Sequence, residues 1–141
     1  MPENLIALEQ IATITVDHGF QLHAELGPGL LESAYQAFLA ASLREAGLEV
    51  RQQVTLPATF RGITVDQAFR LDLLIEGKLI VELKSVERLL PVHSKQLLTY
   101  LRLTSLPLGL LINFGAELYR DGVKRVIDPQ HAYRSPKLGY K

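Results

Sequence analysis

The stretch that most constrains the fold of this chain is Arg70-Leu71-Asp72-Leu73-Leu74-Ile75-Glu76-Gly77-Lys78-Leu79-Ile80-Val81-Glu82-Leu83-Lys84. Two short apolar runs flank a glycine-containing turn, the pattern of a β-hairpin. Side chains alternate across a strand, so every charged residue has a defined face. A three-residue loop, Glu76-Gly77-Lys78, sets Ile75 opposite Leu79, with Gly77 free to take positive φ. In that register Asp72 stands across from Glu82. One face then carries Leu71, Leu73, Ile75, Leu79, Val81 and Leu83. The other carries Leu74 and Ile80 near the turn, and Asp72, Glu82 and Lys84 at the open end. A two-residue turn would slip the register by one and scatter both sets.

Two carboxylates this close repel unless a cation lies between them. Hard oxygen donors suit Mg²⁺ or Mn²⁺. Such an ion lowers the pKa of a bound water and shields a phosphoryl oxygen. Lys84 can orient that water or neutralise charge on the phosphate. The plain alternative is a solvated strand face with a Lys–Glu pair, against which the apolar flanks argue for a central strand.

Elsewhere the pattern alternates between helix and strand. Residues 4–26 place Leu5, Leu8, Ile11, Ala12, Val16, Phe20 and His23 at helical spacing, as one helix or as two meeting near Asp17. Gly27-Pro28-Gly29 ends that segment. A second helix is expected from Leu30 to about Ala46, with Leu31, Ala34, Tyr35, Phe38, Leu39 and Leu43 on its apolar side. Residues 48–56 and 58–65 read as strands punctuated by Pro57 and Arg61-Gly62. Residues 92–103 read as a helix entered at Pro91, and Leu106 to Phe114 as a buried strand. Glu117–Tyr119 and Lys124–Ile127 read as short edge strands. Residues 128–141 lack periodicity and are expected to form a C-terminal tail. The fold class is therefore α/β, a mixed sheet flanked by helices, with residues 1–127 as one domain.

With 141 residues, 48% of them hydrophobic, the chain can bury a real core but not two. No cysteine is present, which excludes disulfides, thiolate zinc sites, iron–sulfur clusters and a cysteine nucleophile. A cytoplasmic location is the expectation. The start of the chain has no signal-peptide pattern, and no apolar run approaches a membrane span. The net charge is zero, but its distribution is uneven. Residues 1–77 hold 4 basic and 10 acidic side chains, whereas residues 78–141 hold 11 and 5. A basic half is compatible with an anionic polymer on one side.

Two further groups carry polar chemistry. In Gly29-Leu30-Leu31-Glu32-Ser33-Ala34-Tyr35, Gly29 as N-cap makes Glu32 the third helical residue, where the helix dipole stabilises a carboxylate. Alternatively, Glu32 is an additional acid facing the metal, with Tyr35 one turn along the same face. His93-x-x-Gln96-x-x-x-Tyr100 lies on one helix face and either holds a phosphate, orients Lys84, or forms an ordinary helix shoulder. His23 reads as a satisfied, half-buried core histidine, because no second histidine stands at i+4. Arg88, Lys95 and Arg102 are candidate phosphate contacts.

Together these segments resemble the GxxExxY protein family, which is placed in the PD-(D/E)XK nuclease superfamily. The resemblance rests on His23-x-x-Leu26-Gly27-Pro28-Gly29-Leu30-Leu31-Glu32-x-x-Tyr35, on Asp72 with Glu82-Leu83-Lys84, on His93-x-x-Gln96-x-x-x-Tyr100, and on Leu111-Ile112-Asn113-Phe114. It covers residues 16–127. It implies a restriction-endonuclease-like αβββαβ core. It also implies Asp72 and Glu82 as metal ligands, Lys84 as the catalytic lysine, and Glu32 as the helix carboxylate. Gln96 and Tyr100 match a helix motif of some nucleases in that superfamily. Leu71 stands where proline usually precedes the first aspartate.

The activity expected from this is Mg²⁺- or Mn²⁺-dependent hydrolysis of phosphodiester bonds in DNA or RNA. Glu32, Asp72, Glu82 and the Leu83 carbonyl would surround the metal, with Lys84 beside the attacking water. The alternatives are a nuclease-like module that binds nucleic acid without turnover, and a protein-docking or homodimeric module that uses the apolar 106–114 run.

Overall fold

The computed structural model describes residues 3–131. Two helices, α1 (Glu3–Leu26) and α2 (Glu32–Glu45), lead into three strands, β1 (Val50–Phe60), β2 (Ile63–Ile75) and β3 (Leu79–Lys84). Helix α3 (Pro91–Thr104) then crosses over to β4 (Leu108–Asn113). A 3₁₀ turn at Tyr119–Gly122 precedes β5 (Val123–Ile127). The sheet order is β1-β2-β3-β4-β5, antiparallel except for the parallel β3–β4 pair. This is the α/β mixed sheet that the sequence pattern suggests, in the restriction-endonuclease-like order that the resemblance implies. Parallel neighbours need a crossover, and α3 supplies it.

Alternation divides the core. Leu79, Val81 and Leu83 of β3, with Leu108, Leu110 and Ile112 of β4, pack under α1 and α2 against Ile11, Ala12, Tyr35, Leu39 and Leu43. Ile80 and Leu111 face the other way, against Leu97 and Leu101 of α3. Gly109 is required there, because a Cβ would come within 2.8 Å of the Leu97 side chain. Among the described residues, no helix is long and apolar enough to cross a membrane.

Several local expectations are corrected. Helix α1 runs unbroken past Asp17, and Phe20, although at helical spacing, is exposed. Helix α2 starts at Glu32, so Leu31 is the N-cap and is exposed, as is Phe38. Strands 48–56 and 58–65 are not separate. Pro57 lies inside β1, where the register with β2 shifts between Leu56 and Ala58. An edge strand tolerates proline because one side of it needs no donor. Strand β2 then runs without a break from the Arg61-Gly62 turn into the central hairpin. Glu117–Tyr119 is not a strand: the chain turns so that the Tyr119 hydroxyl can donate to the Val16 carbonyl at 2.9 Å. At the start of the segment read as a tail, Asp128 and His131 are buried. Residues 132–141 lie outside the described residues.

Candidate functional site

The central hairpin closes in the expected register, Ile75 with Leu79, Leu74 with Ile80 and Leu73 with Val81. Glu76 and Gly77 both adopt left-handed φ, 53° and 63°, and the Lys78 N–H donates to the Ile75 carbonyl at 2.9 Å. The main-chain ladder stops at Leu73 and Val81, where the two acids take over. The Asp72 N–H donates to Glu82 Oε1 at 3.2 Å, and the Leu83 N–H donates to Asp72 Oδ2 at 2.9 Å. Each carboxylate is thus fixed by the other strand's backbone. A carboxylate oxygen has two lone pairs, so one N–H orients it without saturating it.

Glu82 is only 6% exposed. Burial, then the adjacent Asp72 charge and a hydrogen bond to the Asp72 side chain, push its pKa up to about 9, while the Asp72 N–H and then Lys84 pull the other way. At neutral pH its carboxyl keeps a proton next to Asp72. Such a pair is held together by one small positive charge, and a divalent cation can take the proton's place. Lys84, two residues further along β3, points to the same face and is half-buried.

Helix α3 faces this pair with Tyr100, whose ring stacks on Phe69 at 5.1 Å between centroids. Burial and then the nearby Glu82 and Asp72 charges raise the Tyr100 pKa, with Arg70 opposing them. Gln96, one turn earlier, is exposed. His93 does not join the site. Its Nδ1 accepts from the Leu90 N–H at 3.0 Å, and its own N–H donates to the Leu90 carbonyl, so it caps α3.

Glu32 is exposed at the first position of α2, not the third. Among the described residues, no three His, Cys, Asp or Glu groups stand together to hold a metal. Two contacts tie the surroundings of Glu32 to the end of β3 and to β1. Ser85, directly after Lys84, donates its hydroxyl to the Leu30 carbonyl at 2.7 Å. Gln36, one turn after Glu32 on the same helix face, is buried, and its Oε1 accepts from Gln53 Nε2 at 2.9 Å. Tyr35 is a structural clamp rather than a group facing the metal. It is fully buried, stacks on Phe114 at 4.5 Å, donates to the Gly27 carbonyl and accepts from the Leu30 N–H.

Gln53 also corrects one strand assignment. It lies across from Asp72 with φ 52°, and the regular pairs on either side skip it. A left-handed residue interrupts the two-residue alternation. Leu71 and Val54 therefore pack with Leu97 and Leu101 of α3, whereas Leu73 and Val50 face α1 and α2. Leu71 is not on the same face as Leu73.

Gln36, Gln53 and Asn113 are the positioning residues that sequence reasoning did not assign. Asn113 is buried at the end of β4. Its Oδ1 accepts from the Val86 and Gly115 N–H groups at 3.0 Å, and its Nδ2 donates to the Val86 carbonyl at 2.9 Å. It thereby latches the loop that follows Lys84. The Asn113-Phe114 pair was visible as a motif, but its role depends on the β3–β4 neighbourhood.

A sequence model of the PD-(D/E)XK nuclease superfamily matches residues 9–126, a span that takes in Glu32, Asp72, Glu82, Lys84, Gln96 and Tyr100. No curated protein and no solved structure matches the chain.

Proposed function

Because this chain belongs to the PD-(D/E)XK nuclease superfamily, we propose that it is a divalent-metal-dependent nuclease that hydrolyses phosphodiester bonds in DNA or RNA. Within the superfamily we assign it to the GxxExxY family, on Gly29-x-x-Glu32-x-x-Tyr35 and the hairpin motif. The single observation that carries the reading is the paired carboxyl groups of Asp72 and Glu82, each oriented by the opposite strand's backbone. Mg²⁺ typically uses one or two carboxylates and keeps several waters, so this donor set fits it or Mn²⁺. Asp72, Glu82 and the Leu83 carbonyl are the proposed ligands, with Glu32 joining them from α2. The Ser85–Leu30 bond and the Gln36–Gln53 pair support that role for Glu32.

When bound, the ion supplies positive charge at the phosphoryl oxygens and acidifies a water. The protein's own groups do the rest. Asp72 and Glu82 keep their oxygens aimed by main-chain donors. Lys84 neutralises charge that builds on the phosphate as a water oxygen bonds to phosphorus and the phosphorus–oxygen bond to the leaving group breaks. Tyr100, with Gln96 one turn before it, orients the phosphate or Lys84 from α3.

The test is cleavage of labelled single- and double-stranded DNA and RNA with Mg²⁺ or Mn²⁺. Asp72→Ala and Lys84→Ala should each lower the rate by about 100-fold or more. Absence of wild-type cleavage, or cleavage that survives both substitutions, overturns the proposal. One observation favours a second reading, a nuclease-like binding or protein-interaction module without turnover: both acids already satisfy backbone donors. Salt-dependent binding without cleavage is its signature.

A further inference from the structure

We propose that the β1–β2 ribbon is an arm that enters the major groove of duplex DNA, about eight base pairs from the bond cleaved at Asp72. The inference rests on the nuclease reading and adds to it a substrate form and a contact site. Beyond Leu73, β2 has lost β3 as a neighbour, and β1 is the edge of the sheet. The two strands continue as a pair alone to a tight turn at Arg61 and Gly62, both with positive φ. The base of the ribbon, with Leu56, Phe69 and Leu71, packs against the α3 side of the core. Every residue from Thr59 to Ala68 is exposed.

A bare two-stranded ribbon is marginal in water, yet this one carries large apolar groups at its tip. Phe60 pairs with Ile63 and Ala58 with Val65, so these share one face. Phe60, Ile63 and Val65 are 71%, 69% and 55% exposed. On the other face the Thr59 and Thr64 hydroxyls meet at 2.8 Å. The Arg61 guanidinium lies 5.0 Å over the Phe60 ring, which holds it at the tip.

Charge decides what such a tip meets. Residues 1–77 contain four basic side chains, and two of them, Arg61 and Arg70, are on this ribbon, with Arg51 on β1 beside its base. Only one of the ten acids of that half, Asp66, lies between Arg51 and Arg70. Arg70 stands two residues from Asp72, so the arginines run from the candidate catalytic pair to the tip. A second copy is a poor occupant, because a two-fold contact between tips brings Arg61 towards its own equivalent. The B-DNA major groove is about 12 Å wide and admits a two-stranded ribbon, with apolar side chains meeting thymine methyls and arginine meeting guanine. Ile63 lies nine positions before Asp72, roughly 25–30 Å of strand. At about 3.4 Å per base pair this spans roughly eight base pairs.

The test is fluorescence anisotropy with labelled 30-bp and 8-bp DNA duplexes in EDTA over a range of salt. Arg61→Asn removes the charge while suiting the left-handed turn better than arginine does, and Phe60→Ala removes the ring. The wild type should hold the 30-bp duplex about 10-fold more tightly per site, and each variant should lose most of that preference. Arg61→Asn should also flatten the salt slope on the long duplex by about one. Unchanged long-duplex affinity in both variants overturns the arm while leaving nuclease activity standing. Equal variant sensitivity on duplex RNA overturns the major-groove assignment. A wild-type dimer that Phe60→Ala dissolves in sedimentation overturns the arm in favour of self-association. A wild type that binds no duplex overturns the arm, and one that cleaves neither duplexes nor single strands overturns the nuclease reading itself.

Discussion

Replacing Glu82 with glutamine should stabilise the metal-free protein above neutral pH, although it removes a residue of the candidate active site. The folded protein keeps the Glu82 proton up to about pH 9, whereas the unfolded chain releases it near 4.5. Between those values the folded state binds one proton more than the unfolded state, so stability falls as pH rises. The contribution is complete below 4.5 and gone once pH has passed about 9. One proton corresponds to at most about 1.4 kcal/mol per pH unit; with partial water access, about 1 kcal/mol per unit is expected here. From pH 6 to pH 8 the wild type should then lose about 2 kcal/mol through this group. Glutamine mimics the neutral acid. Its carbonyl can accept the Asp72 N–H, and its amide can donate to the Asp72 carboxylate. Urea unfolding in EDTA at pH 6, 7 and 8 measures the difference. Glu82→Gln should exceed the wild type by about 1.5 kcal/mol at pH 6, widening to about 3.5 kcal/mol at pH 8. A variant less stable at every pH, with the wild-type slope retained, would refute the shared proton.

Other consequences follow from the positioning groups. Asn113→Ala strands two N–H groups and the Val86 carbonyl; it should cost about 2–3 kcal/mol in denaturant unfolding and loosen the loop after Lys84. Tyr35→Phe keeps the stack on Phe114 but frees the Gly27 carbonyl and the Leu30 N–H, lowering stability by about 1–2 kcal/mol, read as a fall in Tm.

The hairpin register was legible because three constraints coincide: a glycine that accepts positive φ, strict alternation, and a face that must be apolar. Helix α3 and β4 were legible for similar local reasons, a proline at the first turn and a continuous apolar run. The failures share a different cause. Leu71 packs on the α3 side next to the point where β1 carries the left-handed Gln53, and glutamine gives no local sign of that conformation. Pro57 looks like a terminator until β1 is known to be an edge. Glu32 looks like a third-position cap until Tyr35 is seen to bind the Gly27–Leu30 turn and shift the helix start. That the two acids meet across one hairpin could be read from spacing, but the latches around them depend on which elements become neighbours.

The central claim is that Asp72 and Glu82 hold a proton in the place a divalent ion would take. Titration calorimetry of Mn²⁺ into the protein near pH 7, repeated in buffers of different ionisation enthalpy, counts the protons displaced. The account predicts binding with release of about one proton per ion in the wild type, and no such release in Glu82→Gln. Absence of Mn²⁺ binding, or binding with the same proton count in both proteins, would contradict it.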